Sequence, residues 1–180
     1  MNVFDKYSEK IMGSIALDDR PMIEHKLKAA QAFFATYSTS TQATRSQYIQ
    51  TFVDLLIEHR DHLAQLISQE AGKPLFYALG EVDRCIRTSK LGLEYFDLQD
   101  RKNIDVDLSN TAFRESFTQR FPLGVVFGIS PFNFPLNLAL HKIIPALAAG
   151  NSILIKPSPY TPLSLDSVSY THLTLPTKVT

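Results

Sequence analysis

Cysteine is nearly absent from this 180-residue chain: Cys85 stands alone, which excludes an internal disulfide and a cysteine-rich zinc site. Neither sign of charge dominates, with 18 Lys plus Arg against 18 Asp plus Glu. No stretch gathers Lys and Arg, so the pattern predicts neither a nucleic-acid partner nor an anionic membrane. Long apolar runs are missing as well. The longest, Leu136 to Gly150, is interrupted by His141 and Lys142, so no membrane span is predicted. The N-terminal "MNVFDKYSEK" mixes both charge signs and lacks the apolar run of a secretory signal. The seven glycines never form G-x-G-x-x-G, so the common dinucleotide fingerprint is absent. His25, His59, His62, His141 and His172 show no Cys/His ligand spacing, and the pair His59 and His62 lacks a third ligand. These absences predict a soluble protein of a reducing compartment, most simply the cytoplasm, with no metal.

What is present is globular. Hydrophobic residues make up 44% and charged residues 20%, in a length that suits one ordinary domain. From about Pro21 to Asp100 the pattern is helical. Ile49, Phe52, Val53 and Leu56 recur at spacings of three and four, as do Leu63, Leu66 and Ile67. "STST" at 38–41 supplies N-cap candidates between a first helix, "IEHKLKAAQAFFATY", and a second. "EAGKP" at 70–74 reads as a stop, with Gly72 suited to a left-handed C′ position and Pro74 able to begin a new helix, "FYALGEVDRCIRTSKLGLEYF".

After Arg101 the pattern changes. "NIDVDL" alternates like a strand with one buried face, "SNT" is turn chemistry, and "AFRESFTQRF" spaces its phenylalanines by four. A β-hairpin over about 103–121 is predicted, although the four-residue spacing also suits a helix. "LGVVFGI" at 123–129 is apolar throughout, as a strand buried on both faces of a parallel sheet reads. The helix pattern "LNLALHKIIPALAAG" follows, opened by Pro135, closed by Gly150 and predicted to kink at Pro145. "SILIK" at 152–156 completes a βαβ unit. Two parallel strands make a poor sheet alone, and "DSVSYTHLTLPTKVT" reads as neither a further helix nor a third strand. The expectation is a chain cut short, with residues 166–180 foreign or a disordered tail.

Between strand and helix lies "ISPFNFPLN" at 129–137. Each proline biases the residue before it away from helix, so Asn133 is held in a stiff loop at the carboxyl end of a buried strand. Open α/β sheets place ligands there. A fixed carboxamide in that loop can donate to a developing oxyanion; equally, it can satisfy main-chain groups of the loop itself.

The stretch "FPLGVVFGISPFNFPLNLALHKIIPALAAGNSILIKPSPYTPLS", together with "EAGKPLFYALGEV" upstream, closely resembles the aldehyde dehydrogenase superfamily. That family shows a "P-x-G-V…I-x-P-x-N-F-P" run leading to "PALAAGN" and "KPS". The resemblance runs from roughly residue 15 to 165, and its linked motifs make it specific. It implies an α/β fold: an N-terminal helical layer, a β-hairpin belonging to the oligomerisation region, and the first βαβ unit of a Rossmann-like NAD(P)-binding domain. It implies that Asn133 is the oxyanion-hole asparagine, stabilising the thiohemiacetal formed when a cysteine attacks an aldehyde. Hydride then passes to NAD or NADP, and water hydrolyses the thioester to a carboxylic acid. Ile129, Ser130, Pro131 and Phe132 match the loop beside the cofactor, Lys156 matches the lysine on the adenosine ribose, and Ser158 lies next to it. A homo-oligomer, dimer or tetramer, is implied for the full-length protein.

Three departures bear on that picture. Phe132 stands where many members carry tryptophan. Pro159 occupies the position at which many NAD-preferring members carry a glutamate that grips the ribose 2′-hydroxyl, which leaves NADP open. The family's cysteine nucleophile and general-base glutamate lie downstream of residue 165, and Cys85, in a helix pattern, matches neither. The 180 residues alone are therefore predicted to lack dehydrogenase turnover. The competing readings are a non-catalytic fragment or nucleotide-binding module, and a relative that reduces an acyl phosphate or acyl-CoA.

Overall fold

The computed structural model describes residues 1–94, 101–104 and 116–171. An N-terminal antiparallel ribbon, β1 (Asn2–Phe4) with β2 (Ile11–Ser14), precedes the helices. The sequence pattern had not signalled it, because the strands are very short and Val3 alone is buried. Four helices follow: α1 (Arg20–Tyr37), α2 (Gln42–Glu58), α3 (Arg60–Ala71) and α4 (Leu75–Glu94). Their starts follow from capping chemistry. Asp19 accepts from the Met22 N–H at 2.9 Å, and Thr41, last residue of the "STST" run, accepts from the Thr44 N–H at 3.1 Å. Gly72 ends α3 with φ of 66°, a left-handed turn that glycine adopts without penalty. The Pro74 carbonyl accepts the first bonds of α4.

One boundary departs from the pattern. The helical periodicity runs through His59, yet α2 ends there and α3 begins on the next residue. No glycine or proline marks this joint. The bend lets Leu63, Ala64 and Ile67 of α3 join Phe52 and Leu56 of α2 in the same core.

The predicted hairpin is realised as β3 (Arg101–Ile104) and β4 (Ser116–Gln119), antiparallel with Arg101 opposite Gln119 and Ile104 opposite Ser116. The predicted turn and the residues around it, 105–115, lie outside the described residues. The βαβ unit is β5 (Val125–Ile129), α5 (Pro135–Ala148) and β6 (Ser152–Lys156), with β5 and β6 parallel and Ile129 opposite Lys156. Helix α5 begins at Pro135, contains Pro145 and is followed by Gly150 at φ of 82°. Its apolar side chains Leu136, Ala139, Leu140, Ile143, Ile144 and Leu147 fill the main core against α2 and α4.

Two expectations need correction. β5 is not buried on both faces along its length: Phe127 is 62% and Ile129 60% exposed. Alternation puts them on the face of Val125, which packs with Ala30 of α1 and Leu154, so the cover on that face ends before the strand does. Nor is the expected tail of 166–180 structureless from its start, since its first residues continue a helix. Leu163–Thr171 form a helix, α6, in which Leu165 and Val168 are buried in the main core. Its Ser- and Thr-rich composition hides the short apolar spacing. Residues 172–180 lie outside the described residues.

Both ends of α5 are tied by groups from outside the helix. At its carboxyl end the Arg45 guanidinium donates to the Ala148 carbonyl at 3.0 Å and the Tyr37 hydroxyl to the Leu147 carbonyl at 3.1 Å. A cation there complements the negative end of the helix dipole. Burial pushes the Tyr37 hydroxyl pKa up to about 12, with Arg45 opposing. The start of β5 is pinned in turn by Asn151, whose side-chain oxygen accepts from the Leu123 and Gly124 N–H groups at 2.6 and 3.0 Å.

Candidate active site at the rim of the parallel sheet

The carboxyl ends of β5 and β6 converge on one rim. Ile129 pairs with Lys156 across the ladder, and the Ser130 N–H donates to the Lys156 carbonyl at 2.9 Å. The chain then leaves the sheet through Pro131 to Phe134 and enters α5. After β6 the second loop, Pro157 to Pro162, leads into α6. The two loops touch where the Phe132 and Tyr160 rings meet edge to face, 5.9 Å between centroids. All seven residues singled out in the sequence thus lie on this rim.

Their surroundings differ. Pro131, Phe132 and Asn133 are exposed, as are Ile129 and Lys156. The Lys156 ammonium reaches the Pro157 carbonyl at 3.4 Å and otherwise faces water. Ser130 is buried, its hydroxyl donating to the Pro135 carbonyl at 3.1 Å, a bond that closes the bend across its base. Ser158 is buried too, and its hydroxyl oxygen accepts from the Tyr160 N–H at 3.2 Å. Both serines therefore shape loops through their own hydroxyl bonds. The Asn133 carboxamide carries no such bond among the described residues; the contact this residue makes is through its main-chain carbonyl. An exposed side chain on a fixed main chain is the arrangement needed for a group that meets a ligand.

What fixes that main chain is a charge pair, buried on its Glu81 side, that the sequence pattern did not single out. Glu81 of α4 is 1% exposed. One carboxylate oxygen accepts from the Leu136 and Asn137 N–H groups at 3.1 and 3.2 Å, satisfying two of the free donors at the start of α5. The other lies 2.7 Å from the Lys73 ammonium. Lys73 also donates to the Asn133 carbonyl at 2.9 Å and sits over the Phe134 ring, 4.5 Å from its centroid. A signal for Glu81 was available: it is a carboxylate on the stripe that Ala78, Val82, Cys85 and Ser89 make at helical spacing. Charges on such stripes are rarely buried without a partner.

Cys85 belongs to that same stripe. It is fully buried, and burial pushes its thiol well above the ordinary range, with the Glu81 charge adding to the effect. Neither feature suits a nucleophile, which must be accessible as the thiolate. Lys142 donates to the Leu138 carbonyl within its own helix at 3.0 Å.

Residues 1–174 match the family model described as the aldehyde dehydrogenase family. Among curated proteins, the 3-sulfolactaldehyde dehydrogenase of Priestia aryabhattai is 31% identical over 164 residues, 91% of this chain and 34% of the relative. Among solved structures, glyceraldehyde-3-phosphate dehydrogenase from Methanocaldococcus jannaschii complexed with NADP superposes with a TM-score of 0.89 at 31% identity, covering 100% of this chain and 39% of that one. Betaine aldehyde dehydrogenase from Staphylococcus aureus in complex with NAD+ gives 0.86 at 30% identity, covering 93% and 33%. The chain spans about a third of the length of the curated relatives it matches.

Proposed function

The chain belongs to the aldehyde dehydrogenase family, and on that premise we propose that its rim supplies the oxyanion donor and part of the cofactor site of an NAD(P)-dependent aldehyde oxidation. The observation that carries this reading is the Asn133 carboxamide: exposed, unbonded among the described residues, on a bend held from both sides. When a thiolate adds to an aldehyde, charge develops on the former carbonyl oxygen. A preorganised amide N–H stabilises that charge without having to reorganise as it forms. The sulfur comes from outside these 180 residues, since Cys85 is sealed in the core. Bound NAD or NADP would accept the hydride.

The residues at the rim fit such a dinucleotide. Ile129, Phe132 and Tyr160 offer exposed apolar surface, and Lys156 offers an exposed cation for a ribose hydroxyl or a phosphate. Pro131, exposed beside Phe132, belongs to the same loop. Ser130 and Ser158 serve by holding their loops, through the bonds to Pro135 and Tyr160. Exposed Pro159 places no carboxylate against a 2′-phosphate, which leaves the site open to NADP beside NAD. In the full-length oligomer the β3–β4 ribbon, with exposed Ile104 and Phe117, meets a second copy. No described helix is long and apolar enough to cross a membrane.

The test uses the protein expressed from the complete reading frame that carries residues 1–180. Asn133→Ala should lower kcat for aldehyde oxidation by about 10²- to 10³-fold, the usual cost of deleting one oxyanion donor, with cofactor affinity kept. Unchanged kcat in this variant would refute the assignment.

A further inference from the structure

We infer that Lys73 and Glu81 are positioning residues for Asn133, so that the charge pair between α3 and α4 sets how well the oxyanion donor is aimed. The inference rests on the reading of Asn133 given above. It starts from an economy of contacts. Among the described residues the Lys73 ammonium has three neighbours, and two of them, the Asn133 carbonyl at 2.9 Å and the Phe134 ring at 4.5 Å, lie in the bend itself. The third, Glu81, holds the two N–H groups that follow the bend. One ion pair therefore grips Asn133 by its own carbonyl and grips the helix start three and four residues further on.

The opposite side of the bend is held by the sheet, through Ser130 to Lys156 and Pro135. A main chain clamped on both sides leaves the Asn133 side chain little beyond its own rotation. Helix α5 carries no acidic residue in its first turn, so among the described residues the negative charge bonded to its N-terminus is that of Glu81. A capping role alone would be met by a serine or an aspartate in the bend. The lysine is what links the cap to Asn133. Misplacing a reacting group by about 1 Å can cost about 10²-fold in rate, which sets the size of effect to seek.

The paired variant Lys73→Met/Glu81→Gln, in the protein from the complete reading frame, leaves no orphan charge. It should lower kcat about 10- to 100-fold, with the dissociation constant for NADP or NAD within about twofold of the parent. The decisive comparison is in the Asn133→Ala background. There the same pair of changes should produce no further loss, because the donor they aim is gone. An equal loss in both backgrounds, or an unaltered kcat in the parent background, would overturn the inference while leaving the Asn133 reading intact. Full activity in Asn133→Ala alone would sink that reading, and this inference with it. Glu81→Gln alone keeps a side-chain acceptor for Leu136 and Asn137, so it serves if the paired variant does not fold. Its loss of kcat should be several-fold in the parent background and absent in Asn133→Ala; a loss of equal size in both would likewise overturn the inference.

Discussion

Two buried glutamates perform the same local task at two neighbouring helix starts, and they are not equivalent. Glu81, from α4, takes the Leu136 and Asn137 N–H groups of α5. Glu70, from α3, takes the Leu163 and Ser164 N–H groups of α6 at 2.7 and 2.9 Å. Each reaches across from another element: α5 has no side-chain cap of its own, and the residue before α6 is Pro162. Glu81 has the Lys73 ammonium against it, whereas no ion pair among the described residues includes Glu70. Burial accordingly pushes the Glu70 carboxyl above its ordinary value, with the Glu81 charge adding a little. The lesson is that a buried carboxylate can cap a helix with or without a counter-ion. The counter-ion appears where the cap also has to hold a bend that carries an exposed amide.

The comparison predicts unequal costs of removal. Glu81→Ala should be the more damaging, about 3 to 5 kcal/mol, since it strands both a partly buried cation and two N–H groups. Denaturant titration of wild type and variant measures it. Glu70→Ala strands two N–H groups and no cation, and about 1 to 3 kcal/mol is expected. Equal losses would break the distinction drawn between the two sites.

The Glu70 site also carries a pH signature. Its folded-state pKa is raised, so the folded protein holds that proton more tightly than the unfolded chain does. The stability it contributes is complete below its ordinary value of 4.5 and declines as pH rises through the raised value. Melting temperatures across that range should show the gap between wild type and Glu70→Ala narrowing with rising pH. A gap that widens would contradict the assignment.

A surface pair sharpens the contrast from the other side. Arg60 of α3 grips Asp83 of α4 through two bonds, at 2.7 and 2.8 Å, with both side chains partly exposed. Its guanidinium holds the Asp83 carboxyl below the ordinary value of 3.8. The contribution is therefore present above pH 3.8 and lost as pH falls through the lowered value, opposite in sign to Glu70. Asp83→Asn should give the smallest shift in denaturant midpoint of the three, as exposed pairs do.

How much of this was legible in the residues varies with the range of the interaction. Helix α5 could be read almost to its ends because Pro135 and Gly150 are local signals, and the rim position of Asn133 followed from two X-Pro steps. The joint at His59 was not legible, since the core that turns the chain there is assembled from six helices. β1 and β2 were too short to show a period, and α6 hid its two core residues among serines. The Lys73–Glu81 pair was the largest omission at the site. "GKP" reads locally as a helix stop, and its lysine gains its purpose from a carbonyl 60 residues away. Contacts of that span leave only an indirect trace, here a carboxylate on an apolar stripe.

Cys85 gives the layer beneath the bend a built-in clock. Its sulfur lies within the cluster that also holds Leu63, Val82 and Leu140, where no alkylating reagent can reach. Tagging at that one position must wait for α3, α4 and α5 to part. The tempo at which the Cys85 peptide gains mass in a mild maleimide solution therefore times the breathing of the scaffold on which Asn133 stands.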